Sequence, residues 1–364
     1  MKNTLGNNVK ITLFGESHGP YVGAVLDGMI PGIKINYESI NQQLAKRRPR
    51  GIHETSRIEL DKYQIISGVF NDYTTGAPLC VIIPNENTSS KDYNNIKDTP
   101  RPSHADYVAR VKYNGFADYR GGGHFSGRVT TPIVVIGAIL LDALKQKNIM
   151  IGTHILKCGN VNDRHFNNYL DEIKYLEDSN YPVLDDIESL INDEIEKVRN
   201  DQNSIGGIIQ TAIINLPVGL GEPWFTSVEG AISNAVFSIG GVKGIEFGDG
   251  FNFANLTGKT ANDEFVVKNS KIETITNHNG GVNGGITNGM PVVFNTAIKP
   301  TPSISAEQNS VNLNTMENTK LSIIGRHDPA IIRRICVVID SIVAIVVADM
   351  LATRYGNDFL NYEE

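Results

Sequence analysis

Apolar positions recurring every three to four residues predict helices over 37–48, 130–147, 187–199, 228–237 and 330–355. Alternating or β-branched runs predict strands over 9–14, 22–26, 57–66, 79–84, 151–156, 206–216 and 290–299. The strands come in groups joined by turn residues, with long helices between the groups. That order fits an α+β layered fold better than a repeating βαβ wind. The helix at 330–355 is apolar on most faces, which suits burial on every side. Two runs resemble membrane spans, but 133–141 is too short and 335–352 carries Asp340 and Asp349, each costly in hydrocarbon. Both read as core helices.

The chain has 364 residues and no low-complexity linker, so a single domain over 1–364 is expected. The acidic stretch 171–201 reads as a solvated helix on a surface excursion. At 40% hydrophobic and 20% charged residues, the composition is that of a globular protein. A net charge of −7 argues against a general nucleic-acid binder. Cys80, Cys158 and Cys336 lie far apart in apolar stretches, without zinc-site spacing, and read as reduced core residues; no metal is expected. The first residues lack the apolar core of a signal peptide, so a cytoplasmic protein is expected.

Candidate chemistry is concentrated around glycine and histidine. In Arg120-Gly121-Gly122-Gly123-His124-Phe125-Ser126-Gly127-Arg128, three glycines free the backbone to approach a ligand, between two arginines and ahead of a long helix. This is the chemistry of an anion cradle. His18 sits in a turn between Gly15 and Pro20, where it either faces a pocket or bonds locally. His104 follows Pro102 at a helix start that Ser103 could cap and whose dipole Asp106 could complement. Lys299-Pro300-Thr301-Pro302-Ser303 offers an ammonium and hydroxyls in a stiffened turn, suited to a phosphate or a flavin edge, or else simply ends a strand. In 325–329, Arg326 can pair with an acid, while Asp328 can orient a neighbouring base or cap the next helix.

Taken in order, these blocks resemble the chorismate synthase family. The likeness also runs through Arg47-Arg48-Pro49, Ser67-Gly68-Val69-Phe70, Ser204-Ile205-Gly206-Gly207, Gly219-Leu220-Gly221-Glu222-Pro223, 242–251 and 277–299. It implies a β-α-β sandwich with long central helices between antiparallel sheets, assembled as a homotetramer. It also implies a carbon–oxygen lyase of the shikimate pathway, serving aromatic amino acid biosynthesis. Such an enzyme converts 5-enolpyruvylshikimate 3-phosphate to chorismate by 1,4-elimination of phosphate, using reduced FMN without net redox change.

Carried over by matching motif, His18 and His104 are the family's acids. Asp328 matches the aspartate thought to help relay the substrate proton by way of the flavin. His124, Phe125, Ser126, Gly284, Lys299, Pro300, Thr301, Pro302, Ser303 and Arg326 match the FMN positions. Ser103 stands where glycine is usual. Of the arginine pair assigned to NADP, only Arg47 is matched, the second falling near Ile52 or His53, so dependence on externally reduced flavin is expected. A flavin oxidoreductase built on the same site would instead consume reduced nicotinamide. A mere phospholigand binder would need arginines and amides more than two proton-transfer histidines.

Overall fold

The computed structural model describes residues 2–50, 54, 60–86, 97–323, 328–356 and 358–360. The expected helix at 37–48 is α1 (Tyr37–Arg47), and its Asn36 side chain accepts a hydrogen bond from Ser39 N at 3.1 Å. The helices that follow are α2 (Asp106–Lys112), α3 (Thr131–Lys145), α4 (Tyr169–Asp178), α5 (Glu188–Asn200), α6 (Val228–Val236), α7 (Gly258–Ala261) and α8 (Ile332–Tyr355). Among the described residues, two antiparallel five-stranded sheets face each other across a helical layer. The first contains β1 (Thr4–Leu5), β2 (Lys10–Gly15), β3 (Tyr21–Asp27), β4 (Gln64–Ser67) and β7 (Leu79–Pro84), in the order β1-β2-β3-β7-β4. A short hairpin, β5 (Val69–Phe70) with β6 (Tyr73–Thr74), interrupts it.

The second sheet contains β8 (Met150–Cys158), β9 (Val161–Asn162), β10 (Gly207–Ile214), β11 (Val242–Phe247) and β16 (Val292–Ile298), ordered β11-β16-β10-β8-β9. Further hairpins are β12 (Phe265–Lys268) with β13 (Lys271–Thr274), β14 (Val282–Asn283) with β15 (Ile286–Thr287), and β17 (Gln308–Asn312) with β18 (Glu317–Leu321). The architecture is α+β, a sandwich with its long helices inside. Alternation sets the inner faces: Leu79, Val81 and Ile83 of β7 are buried, and so are Val292, Phe294 and Ile298 of β16.

Between the sheets, α3 packs on β3 and β7, while α8 packs on β8 and β10 and crosses α3. An added Cβ at Gly137 of α3 would stand 2.2 Å from Ser341 Cβ of α8, so glycine is what allows the two helices to approach this closely. The Ser341 hydroxyl donates to Val337 O at 2.7 Å and leaves no orphan polar group in the contact. By length and apolarity α8 could cross a membrane, but 89% of its most apolar window is buried in the sandwich. That answers the sequence reading of 335–352 as core.

Two expectations change. Of the strand expected at 57–66, only the last three residues are extended, within β4 (Gln64–Ser67); 57–59 lies outside the described residues. Asp61 has left-handed backbone (φ 50) and a carboxylate drawn into an arginine cluster, so the chain cannot stay extended there. The acidic segment forms two helices, α4 and α5, and is less of an excursion than its composition suggests. Ile173 and Leu176 of α4 pack with Met150, Phe166, Ala212 and Ile214 on the outer face of the second sheet. Most of the acidic residues, among them Asp171, Asp178, Asp186 and Glu188, are exposed and hide this stripe in the composition.

The layering brings four chain segments to one end of the helices: the C-terminus of α1, the β2–β3 turn, the approach to α3, and the approach to α8. Arg334 Nε donates to Arg47 O at 2.8 Å, and Arg333 donates to Lys46 O at 2.9 Å and Arg48 O at 2.6 Å, fastening α8 to α1. Glu54 neutralises Arg333 through contacts of 2.5 and 2.6 Å.

Candidate active site

The glycine loop leads into a short 3-10 turn, Gly127–Thr130, and then into α3. Gly121, Gly122 and Gly123 all have positive φ (57°, 82° and 53°), which side-chain-bearing residues rarely adopt. A Cβ on Gly121 would lie 2.3 Å from His18 Cε1, and one on Gly122 would lie 3.4 Å from His104 Cε1. The two histidines therefore lean on adjacent residues of one bare stretch of backbone. Sewing it in place, Ser17 N donates to Gly123 O at 3.1 Å and His124 Nδ1 donates to Gly15 O at 2.8 Å. Buried Ser17 adds Oγ contacts to Arg120 O (3.2 Å), Gly121 O (3.1 Å) and His18 Nδ1 (3.2 Å). Phe125 is half exposed and faces the Tyr113 ring, centroids 6.2 Å apart; Ser126 Oγ accepts from Arg128 N at 3.3 Å.

The arginines flanking the loop do not both point into it. Arg120 folds back on Asp118, Nη2 to Oδ2 at 2.8 Å, and this pairing holds the Asp118 carboxyl below its ordinary range. Arg128 turns inward to Asp61, with Nε on Asn85 Oδ1 at 3.1 Å.

His104 is held by its own turn. The Ser103 side chain caps nothing; the residue is left-handed (φ 58), where a glycine would sit without strain, and α2 begins only at Asp106. Asp106 serves its neighbours rather than the helix: Oδ1 lies 2.6 Å from His104 Nδ1, and Oδ2 accepts Arg101 Nε at 2.8 Å and Arg101 N at 3.0 Å. Burial alone would raise the Asp106 carboxyl, but the Arg101 and His104 hydrogen bonds outweigh it and hold the group well below the carboxylate range.

The segment Lys299 to Ser303 joins the His104 turn to Asp328. Lys299 Nζ donates to Ser103 O at 2.7 Å, Arg101 Nη1 donates to Ser303 Oγ at 3.1 Å, and Thr301 Oγ1 donates to Asp328 O at 2.7 Å. Pro300 and Pro302 stiffen the path between these anchors. Burial, with Lys243 nearby, lowers the Lys299 ammonium from its usual value. Asp328 does not cap α8, whose N-cap Ile331 makes no side-chain bond. Its Oδ2 accepts Arg334 Nη1 at 2.5 Å, while Oδ1 is buried without a hydrogen bond among the described residues. Burial raises this carboxyl above its ordinary value, against the pull of Arg334.

Behind the loop, a cavity of about 290 Å³ is lined by Arg47, Arg48, Arg128 and Arg334, with Asp61, Asp328 and Ser126 among its other walls. Asp61 is shared by three of the guanidiniums, contacting Arg128, Arg47 Nη1 at 3.7 Å and Arg48 Nε at 3.9 Å. Four cations against two carboxylates leave the cavity positive, fit for a polyanion. Arg47 is only 7% exposed; it also braces the 3-10 turn through Nη2 to Gly127 O (2.6 Å) and Nε to Thr130 Oγ1 (3.0 Å).

Of the residues singled out by sequence, His18, His104, the glycine loop, Lys299 to Ser303, Asp328 and Arg47 are brought to one region. Gly284 stands apart, in the turn of the β14–β15 hairpin, whose Gly285 O accepts Val228 N at 2.9 Å at the start of α6. Arg326, and Ile52 and His53, lie outside the described residues. Sequence reasoning missed Asp61, Asp106 and Arg334 as working parts. A signal existed for Arg334, because Arg333-Arg334 interrupts an apolar run that must be buried. None marked Asp61.

Comparison with known proteins agrees with this picture. Residues 9–352 match the profile of the family described as chorismate synthase. The chain is 42% identical to a chorismate synthase of Pyrococcus abyssi over 96% of its own length and 97% of that protein's, and 44% identical to one of Methanobrevibacter smithii over 98% of both. A crystal structure of a chorismate synthase superposes with a TM-score of 0.76 at 27% identity, covering 96% of this chain and 94% of the other.

Proposed function

Since the chain belongs to the chorismate synthase family, and is accordingly a carbon–oxygen lyase acting on a phosphate, we propose that it forms chorismate from 5-enolpyruvylshikimate 3-phosphate by 1,4-elimination of phosphate. The supporting observation is two histidines on adjacent glycines of one loop, backed by a cavity with four arginines. The substrate carries a phosphate and two carboxylates, and the arginines match that charge. Fully ionised phosphate leaves poorly, so a proton donor lowers the barrier; His18 and His104 are placed to give that proton. His104 presents Nε2 toward Gly122, where a Cβ would meet it at 3.6 Å. In this reading Asp328, whose carboxyl burial raises, holds the proton that the substrate gives up.

The residues fit reduced FMN as well. The positive-φ backbone at Gly121 and Gly122 carries no side chain between the two histidines, and Asp328 Oδ1 is a buried acceptor without a hydrogen bond among the described residues. His124, Phe125, Ser126 and Lys299 to Ser303 would hold it, with Arg326 and Gly284 as the remaining family positions. When bound, reduced FMN supplies electron density to the ring as phosphate departs, with no net oxidation. Of the arginine pair the family uses for NADPH only Arg47 is matched, and it is buried against the loop, so in this reading reduced flavin is supplied from outside.

The same reading places a single-domain enzyme of the shikimate pathway in the cytoplasm as a homotetramer. Phe225, Phe116, Phe251 and Trp224 are each at least 80% exposed in one chain, which favours assembly. The test is calorimetric titration of 5-enolpyruvylshikimate 3-phosphate into the FMN-loaded protein and its Arg334→Ala variant. Binding should weaken about 10- to 100-fold in the variant, as for loss of a hydrogen bond between charged groups. No binding to the parent protein contradicts the proposal.

A further inference from the structure

The carboxylate of Asp106 touches neither the glycine loop nor the arginine cavity, yet four donors fix both of its oxygens. Arg101 Nε and Arg101 N take Oδ2, and Arg101 Nη2 reaches Oδ1 at 2.8 Å, so the group cannot rotate. Against this fixed acceptor lies His104 Nδ1, at 2.6 Å. An ionised carboxylate only accepts, so the proton of that contact resides on Nδ1. Arg101 Nη2 also lies 3.0 Å from Nδ1 but, being a donor itself, finds its acceptor in Oδ1. The ring's other nitrogen, Nε2, is turned toward Gly122.

We propose that Asp106 is a positioning residue for turnover: it locks the His104 ring with Nδ1–H inward and commits Nε2 as the atom that exchanges a proton at the glycine loop. This rests on the role proposed above for His104. Ring orientation depends on Asp106 because His104 is anchored by a short turn, with Ser103 in a strained left-handed conformation, and not by a helix. Without the carboxylate, the ring is free to take the other tautomer or to swing away, and proton transfer loses its geometry while the arginine cavity stays intact.

A double-mutant cycle tests this. In Asp106→Asn, which keeps the side chain's shape, kcat for chorismate formation should fall about 10- to 100-fold, less than the loss on removing a general acid, while KM stays within about threefold. In a His104→Ala background, the same Asp106→Asn change should have no further effect on kcat, because Asp106 acts through the ring. An equal fall in both backgrounds, or an undiminished kcat in folded Asp106→Asn, overturns the proposal. Should Asp106→Asn fail to fold, Asp106→Glu retains the charge and displaces the acceptor. It should lower kcat with KM preserved, and a parent-like kcat counts against the proposal. A parent protein that makes no chorismate defeats the assigned reaction instead, and a His104→Ala variant with parent-like kcat defeats the role of His104.

Discussion

Gly121 and His18 stand so close that a single added methyl group on Gly121 would lie 2.3 Å from the imidazole Cε1, well inside van der Waals contact. Gly121→Ala must therefore both strain a backbone at φ 57 and push His18 from the loop. Stability should drop by about 1 to 3 kcal/mol and kcat by at least about 100-fold. Gly127, a few residues on, has open space where a Cβ would be added. Gly127→Ala should stay within about 0.5 kcal/mol of the parent in a thermal melt and keep its activity, which isolates the effect of crowding.

The two histidines make a second prediction. His18→Ala and His104→Ala should each lower the single-turnover rate by about 10²- to 10⁴-fold, with substrate affinity, carried by the arginines, changed far less. Variants that melt lower but turn over at the parent rate would reduce both residues to turn-shaping roles.

The helix crossing predicts a packing effect remote from the chemistry. Gly137→Ala forces α3 and α8 apart at Ser341, where the methyl group would meet Ser341 Cβ at 2.2 Å. Overpacking of this kind costs about 1 to 3 kcal/mol, read as a lowered Tm with kcat per folded molecule unchanged.

On the face of α8 that it shares with Arg333, Asp340 lines a second cavity of about 220 Å³ and accepts from Thr153 Oγ1 at 2.6 Å. Burial pushes its carboxyl up to about 7, despite that hydrogen bond and the nearby Lys46. A raised folded pKa means a contribution that is whole below the unfolded value near 3.8 and is lost as pH climbs through about 7. Asp340→Asn removes the titration, so its stability relative to the parent should rise between pH 5 and 8, by up to about 3 kcal/mol. Parallel denaturation curves at both pH values would contradict this.

Much of the architecture was legible because periodicity reports burial directly. The strand at 79–84 and the helix at 330–355 appear almost as their patterns require. The region from 57 to 66 misled for a physical reason: its β-branched residues favour extension, but Asp61 must turn to meet three arginines, and that demand comes from elsewhere in the chain. In the site, His18, His104 and the glycine loop declared themselves through local composition. Asp106 was visible only as a helix-start residue, since its partnership with Arg101 and His104 depends on how a left-handed Ser103 folds the turn. The arginine cavity was harder still. Arg128 and Arg334 are more than 200 residues apart, and only the packing of α8 beside α1 makes them neighbours.

The most direct test is a mass balance under strict anaerobiosis. The protein, chemically reduced FMN and 5-enolpyruvylshikimate 3-phosphate are mixed, and chorismate, phosphate and reduced flavin are followed together over many turnovers. The account predicts chorismate and phosphate in equal amounts, with reduced FMN undiminished, and no chorismate when NADPH and oxidised FMN are supplied without a reductase. Oxidation of flavin or nicotinamide in step with product would make the protein an oxidoreductase, and tight binding without product would make it a binder; either result contradicts the account.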